Sequence, residues 1–248
     1  MFMRIGKFGY INNYLPYYWI EKCKKARIIE GSPKILAEKI EKREIDYAPI
    51  PSFYYLKNKD KLRHYNFCIA SEGEVLSVLI VSNDNKLNDK IAVTNESITS
   101  VNLLKIILKE MGLNCKLFLV NEKNVDNLLK YCNSALVIGD EAIKARLKYN
   151  VIMDLGKVWY ELTGYPMVFG ISASLKEVDA KSCDELIMKS IDWGFKNFDK
   201  IVMEAEREFN ISKNFLAKYF KTLIYKLGHK EKKGLKIFEE YCIDNKLL

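Results

Sequence analysis

Val93-Thr94-Asn95-Glu96-Ser97-Ile98-Thr99-Ser100 follows two apolar residues and precedes residues 101–108, which have helical periodicity. This order predicts a strand, a hydroxyl-rich turn and a helix. The first N–H groups of a helix lack intrahelical partners, and the positive end of the helix dipole lies beside them. Such a turn can hold an anionic group, with Ser97, Thr99 and Ser100 as additional donors. The alternative is that Ser97 or Thr99 only caps the helix.

The same alternation begins at the amino-terminal end of the chain. Strands are predicted over residues 4–10, 26–30 and 45–50. Between the last two, Ser32 and Pro33 are the residue types of a helix cap and a first helical position. A strand-helix-strand unit implies parallel pairing, with ligands expected at the carboxyl ends of the strands.

Further strands and helices continue this pattern to the carboxyl-terminal end. We predict strands at 67–71, 75–82, 91–94, 116–120, 135–139 and 167–171, helices at 100–110 and 125–131, a helix capped by Asp140-Glu141-Ala142, and helical pieces from 181 onward that break at Gly194, at Asn210-Ile211-Ser212 and at Gly228. Ser212 is expected to cap a helix over residues 215–225.

The pattern pauses at the polar stretch 83–90, which predicts a crossing between two lobes. We predict an α/β fold in which residues 1–86 begin lobe 1, residues 87–167 form an inserted lobe 2, and residues 168–248 return to lobe 1 with the carboxyl-terminal helices. A cleft between two such lobes is a usual place for a small ligand.

Composition narrows the possible partners. The 40 Lys and Arg residues exceed the 32 Asp and Glu residues, which gives a formal charge of +8 and favours anionic ligands. Basic and acidic residues alternate along helical stretches such as residues 38–44, so a nucleic-acid partner is not favoured. Apolar segments of membrane-spanning length are absent from the sequence, which argues against a membrane partner.

Cysteine and histidine usage indicates the compartment and the chemistry. Six cysteines occur without any Cys-x-x-Cys pair, which is typical of free thiols in a reducing cell. The first residues lack the continuous apolar region of a signal peptide, so we predict a cytoplasmic protein. His64 and His229 lie in charged stretches, which argues against a metal site and against a histidine-based triad.

A series of short motifs occurs in order between residues 4 and 172. They are Tyr10-Ile11-Asn12 with Pro16, Gly31-Ser32-Pro33, Ile45-Asp46, Gly73-Glu74-Val75-Leu76-Ser77-Val78, Ser97-Ile98-Thr99-Ser100, Ile138-Gly139-Asp140-Glu141-Ala142, Asp154-Leu155-Gly156 with Trp159, and Thr163-Gly164-Tyr165-Pro166-Met167-Val168-Phe169. In this order the motifs resemble the chorismate dehydratases of the futalosine route to menaquinone. That family shares the two-lobed fold of type II periplasmic binding proteins.

The resemblance implies a lyase that converts chorismate to 3-enolpyruvylbenzoate and water, without cofactor or metal. For the family, the enolpyruvyl carboxylate of the substrate is the proposed base, assisted by an Asn and a Ser. By motif match the Ser is Ser77, and the Asn is Asn12 or Asn13. The two carboxylates of the substrate would be bound by a second group of residues, which comprises Ser97, Thr99, Ser100, Asp140 and Ser52.

The two asparagines cannot be separated by spacing. The stretch Tyr10-Ile11-Asn12-Asn13-Tyr14-Leu15-Pro16 has one residue more than the family pattern, so that Asn12 satisfies the spacing to Tyr10 and Asn13 the spacing to Pro16. Either side chain could instead only shape the turn.

Ser77 and Asp140 each have a structural alternative. The Ser77 hydroxyl could bond to the main chain, and Asp140 could only cap its helix. Two segments also depart from the family pattern, Pro49-Ile50-Pro51-Ser52 and Gly170-Ile171-Ser172. They keep open a non-catalytic two-lobed protein that binds a small carboxylate. The oligomeric state is not indicated by the sequence.

Overall fold

The computed structural model describes residues 3–94 and 98–248, so that Ser97 lies outside the described residues. The strands are β1 (Arg4–Phe8), β2 (Arg27–Gly31), β3 (Ala48–Pro51), β4 (Leu62–Ser71), β5 (Val78–Ser82), β6 (Lys90–Thr94), β7 (Lys116–Val120), β8 (Ser134–Ile138), β9 (Asn150–Asp154), β10 (Met167–Leu175) and β11 (Leu223–Lys226). The helices are α1 (Tyr14–Cys23), α2 (Pro33–Glu41), α3 (Ser52–Lys57), α4 (Ile98–Glu110), α5 (Val125–Tyr131), α6 (Gly139–Ala145), α7 (Leu155–Thr163), α8 (Lys181–Lys196), α9 (Phe198–Phe209), α10 (Lys213–Thr222) and α11 (His229–Asp244).

The chain divides into two compact units. The first runs to Ala70 and resumes over Val168–His229, and the second comprises Ser71–Met167 and Lys230–Leu248. Residues 71–86 and 230–248 therefore group with the second unit, where the sequence prediction had assigned them to lobe 1. The physical reasons are sheet pairing and packing: β5 pairs with β8 and β9, and Phe238 of α11 packs edge-on against Trp159.

The second unit contains a five-stranded sheet in the order β7-β6-β8-β5-β9. Strand β6 is parallel to β7 and β8, whereas β5 is antiparallel to β8 and β9. It follows that the carboxyl ends of β6, β7, β8 and β9 share one edge of the sheet with the amino end of β5. A buried apolar cluster on this sheet includes Leu79, Ala92 and Leu128.

The first unit contains two smaller sheets. Strands β1 and β2 pair in parallel, whereas the strand-helix-strand pattern predicted that pairing for β2 and β3, and β3 lies in the other sheet of this unit. Ser32 caps α2 by accepting a hydrogen bond from the Ile35 N–H, as predicted. A parallel bridge joins Ile5 to Tyr47, just before β3, so β1 and β3 run in the same direction. The other sheet has the order β11-β4-β10-β3. As in the second unit, the turns that follow β1 and β3 lie at the carboxyl ends of strands that run in the same direction.

Several elements differ from the sequence prediction. Helix α1 had no predicted counterpart, because its aromatic residues have modest helix propensity. The helix is stabilised by the burial of residues such as Tyr17 and Tyr18. Residues 223–225 form strand β11 instead of continuing a helix, because this segment pairs beside β4. The predicted break at Gly194 falls at Asn197. Strand β9 and helix α7 had no predicted counterpart.

Candidate functional site

One edge of the sheet in the second unit gathers four of the eight predicted site residues. Thr99 and Ser100 lie in the first turn of α4, after β6, and both are buried. Asp140 lies in the first turn of α6, after β8, and Ser77 immediately precedes β5. Because these strand ends share one edge, the structure brings all four residues to the same side of the sheet.

Asp140 does not cap its helix. Helix α6 begins at Gly139, and the capping position is Ile138, which forms no side-chain cap. The carboxylate of Asp140 instead lies within the first turn and is half-buried. The capping alternative for Asp140 is therefore wrong, and its substrate-binding role stays a prediction.

Ser77 is almost completely buried, with 3% of its surface exposed. Its hydroxyl donates a long hydrogen bond of 3.4 Å to the Val75 carbonyl. Its own carbonyl accepts a hydrogen bond of 2.8 Å from the Gly139 N–H. The main chain of Ser77 is therefore fixed to the start of α6.

The loop before Ser77 is held by a carboxylate distant in sequence. Asp154 accepts hydrogen bonds from the N–H groups of Val75, at 3.0 Å, and Leu76, at 2.8 Å. It also caps α7 by accepting from Gly156 and Lys157. Burial raises the pKa of the Asp154 carboxyl, although these main-chain hydrogen bonds act in the opposite direction. Sequence reasoning named the Asp154 motif but did not assign it this contact.

Leu76 has a backbone conformation that is uncommon for a branched side chain. Its φ of 65° lies in the left-handed region, and its side chain is buried. The Leu76 carbonyl accepts a hydrogen bond of 3.2 Å from Nη1 of Arg146. Main-chain groups on both sides of this residue are thus bound by side chains from other elements.

In the first unit, the two asparagines have different surroundings. Asn13 is fully buried, and its Oδ1 accepts a hydrogen bond of 3.2 Å from the Phe8 N–H. Its Nδ2 donates to Oδ1 of Asn12 at 2.8 Å. Asn12 is 9% exposed, and its Nδ2 has no hydrogen-bond partner in the described part of the chain. Asn13 therefore orients Asn12 and leaves the Asn12 amide donor available.

Ser52 is the first residue of α3 and directly follows β3. It is completely buried, and within residues 3–94 and 98–248 its Oγ has no hydrogen-bond partner. A buried hydroxyl without a partner costs about 1–3 kcal/mol. The position is therefore suited to a hydroxyl that becomes paired when a ligand binds.

Two kinds of feature are absent from the described residues. Among them, no group of three or more His, Cys, Asp or Glu side chains could hold a metal ion. No helix in the same part of the chain has the length and apolarity to cross a bilayer.

Known proteins resemble this chain along nearly its whole length. The sequence model of a family described as menaquinone biosynthesis matches residues 3–244. The chorismate dehydratase of Thermus thermophilus is 26% identical, with 92% of this chain and 91% of that enzyme covered. A solved structure from Archaeoglobus fulgidus has a TM-score of 0.80 at 16% identity and covers 99% of this chain and 98% of that one. The periplasmic aliphatic sulphonate-binding protein of Escherichia coli has a TM-score of 0.67 at 15% identity, covering 99% and 88%.

These similarities confirm two predictions from the sequence. The family match agrees with the resemblance carried by the ordered motifs. The structural likeness confirms the predicted α/β fold class of periplasmic binding proteins, in which two lobes are built from one chain. At these low identities the solved structures bear on the fold alone.

Proposed function

This chain belongs to the menaquinone biosynthesis family, and from that premise we propose that it removes water from chorismate to give 3-enolpyruvylbenzoate. The observation that carries the proposal is the similarity to a chorismate dehydratase over almost the full length of both chains. The reaction class is then a carbon-oxygen lyase, and the partner is a small dicarboxylate.

The chemistry asks for positioning more than for a strong protein base. A proton leaves the ring carbon that bears the enolpyruvyl ether, and the hydroxyl on the neighbouring carbon leaves as water after taking up a proton. The ring becomes aromatic, which drives the reaction. A substrate carboxylate can accept the first proton when the enzyme holds the reacting groups in line. Neither histidine is needed for this scheme.

Carboxylate recognition is assigned to the hydroxyls at the starts of two helices. Thr99 and Ser100 offer hydroxyl donors at the positive end of the α4 dipole, and Ser97, outside the described residues, stays a prediction from the sequence. Ser52 offers a buried hydroxyl that the described residues leave unpaired. Asp140 would border the substrate on the side of α6.

The two asparagines receive different roles. Asn12 is the substrate contact, because its Nδ2 is available while its Oδ1 is bound by Asn13. Asn13 links the two groups: its Oδ1 accepts a hydrogen bond from the Phe8 N–H, and its Nδ2 donates one to Oδ1 of Asn12. Ser77 completes the catalytic group, and its hydroxyl donates a hydrogen bond of 3.4 Å to the Val75 carbonyl.

The cysteines support a cytoplasmic location. All six are free, and four of them, Cys68, Cys132, Cys183 and Cys242, are buried. Buried thiols without disulfides are typical of proteins in a reducing compartment.

The experiment is incubation of the purified protein with chorismate, followed by mass spectrometry. The expected product is lighter than chorismate by one water, and it should form faster than in a protein-free control. Product formation no faster than the spontaneous decay of chorismate would overturn the proposal. A binding isotherm for chorismate without turnover would instead favour the non-catalytic carboxylate-binding protein.

A further inference from the structure

Asp154 connects two segments of the second unit that are 79 residues apart at their first contact, Val75. We propose that Asp154 is a positioning residue for Ser77, because its carboxylate holds residues 73–77 in the conformation that presents the Ser77 hydroxyl. This inference rests on the proposed function of Ser77 in the dehydration.

One carboxylate oxygen of Asp154 accepts hydrogen bonds from the start of helix α7, and the other accepts from the loop before Ser77. Oδ1 accepts from the N–H groups of Gly156, at 3.0 Å, and Lys157, at 3.1 Å, which is the ordinary geometry of a helix cap. Oδ2 accepts from Leu76 at 2.8 Å, and Val75 lies within reach of both oxygens. A cap needs only one acceptor, so the second oxygen serves the loop.

The conformation of Leu76 explains why the loop needs this acceptor. A left-handed backbone is sparsely populated by leucine and persists where surrounding contacts over-determine it. Asp154 binds the N–H of Leu76, and Arg146 binds its carbonyl. The residue that follows is Ser77, whose carbonyl is in turn bound by Gly139. Loss of the Asp154 contact would release the strained residue immediately before the proposed catalytic hydroxyl.

The carboxylate of Asp154 is half-buried and has no cationic partner among the described residues. No Lys or Arg in the described ranges forms an ion pair with Asp154, so main-chain N–H groups are its partners. A carboxylate used only as a cap could be replaced by a shorter capping residue at little cost. Asp154→Ser makes that replacement, since serine can still cap α7 but is too short to reach Leu76.

The test compares kcat and KM for chorismate in the wild type, Asp154→Ser, Ser77→Ala and the double variant. Asp154→Ser should lower kcat by about 10- to 100-fold, because small misplacements of a reacting group cost this much. If Asp154 acts through Ser77, the double variant should be no slower than Ser77→Ala alone. A kcat within twofold of wild type, or losses that multiply in the double variant, would overturn the inference.

Two further measurements separate positioning from general destabilisation and from the proposed function. Val125→Ala trims the apolar core of the same unit without touching the loop, and should keep wild-type kcat. Amide hydrogen exchange should be about tenfold faster at Leu76 in Asp154→Ser, and unchanged there in Val125→Ala. If the wild type does not turn over chorismate, the proposed function fails. The exchange rates then decide the positioning role by themselves, and unchanged exchange at Leu76 would refute it.

Discussion

Asp184 in the first unit, which is buried, and Asp154 in the second, which is half-buried, both bind main-chain N–H groups from distant parts of the chain. Asp184 is 2% exposed and accepts from the N–H groups of Asn66, at 3.1 Å, and Phe67, at 3.1 Å. It also accepts from the Tyr47 hydroxyl at 2.7 Å. In neither case does a described Lys or Arg residue form an ion pair with the carboxylate.

The two carboxylates differ in what they hold. Asp184 fastens α8 to strand β4, whose backbone is regular and whose side chains fill the core of the first unit. Asp154 fastens a loop that contains a left-handed leucine and ends at Ser77. The same interaction therefore secures the fold in one unit and shapes a proposed site in the other. Stability and catalysis should separate when each is altered.

The largest effect on stability is expected from Asp184→Asn. The amide would present an NH₂ group to donors that now meet a carboxylate oxygen, so at least one buried donor would lose its acceptor. We expect a loss of about 2–4 kcal/mol in the free energy of unfolding, measured by urea denaturation. The kcat of the fraction that remains folded should stay within twofold of wild type.

An exposed residue on the same helix provides the matched control for this prediction. Asp192→Asn changes the same charge without a buried partner, and it should alter stability by less than about 0.5 kcal/mol. If Asp184→Asn and Asp192→Asn lost equal amounts of unfolding free energy, the hydrogen bonds of Asp184 would contribute nothing measurable to stability. The contrast between Asp184 and Asp154 would then be wrong.

The paired asparagines should also separate an effect on stability from an effect on activity, with smaller changes in both. Asn13→Ala leaves the buried Phe8 N–H without its acceptor, and should cost about 1–3 kcal/mol of stability. Asn12→Ala should mainly reduce kcat/KM for chorismate, because its Nδ2 faces no protein acceptor among the described residues. Thermal unfolding and steady-state kinetics of both variants measure the difference.

An exposed asparagine serves as the reference for both variants. Asn114→Ala should leave stability and activity near the wild-type values. The assignment would be reversed if Asn13→Ala kept full stability while losing more activity than Asn12→Ala.

The smallest effect is expected at the amino-terminal ion pair of the first unit. Burial alone would raise the pKa of Asp46, but hydrogen bonds from the Arg4 side chain and main chain outweigh it and lower that pKa. Stability from a lowered carboxyl pKa is present above about pH 4, the ordinary value for aspartate, and is lost as the pH falls through the folded-state pKa.

The measurement is urea denaturation at several pH values. Asp46→Asn should destabilise the protein near neutral pH by less than Asp184→Asn does, since this pair is partly exposed. The difference between Asp46→Asn and wild type should shrink at acid pH. A difference that stays constant between neutral and acid pH would show that the pair does not contribute through the charge of Asp46.

Charge also distinguishes the two units. The +8 net charge lies in the first unit, because acidic and basic residues balance in the second. The surplus is concentrated before residue 71, in a segment that includes the turn of Asn12 and Asn13. The first unit therefore exerts the stronger long-range attraction on an anionic ligand.

Patterns confined to a few residues were sufficient to predict much of the fold. Helix α2 begins at Pro33 with Ser32 as its cap, and α5 covers the predicted residues 125–131, because caps and apolar periodicity act within one or two turns. Ser77, in a predicted strand, and Thr99, at the predicted start of a helix, were also named as site residues from the sequence alone. Their arrival at one sheet edge follows from strand order, which those patterns do not encode.

The sequence by itself determined the alternation of strands and helices, the motifs that identify the family, and the free thiols, since each depends on residue type and short spacing. Only the tertiary structure decided that residues 71–86 and 230–248 join the second unit, that Asn13 orients Asn12, and that Asp154 holds the loop before Ser77. The reason is physical: a buried polar group must find a partner in space, and the chain can supply that partner from any distance along its length.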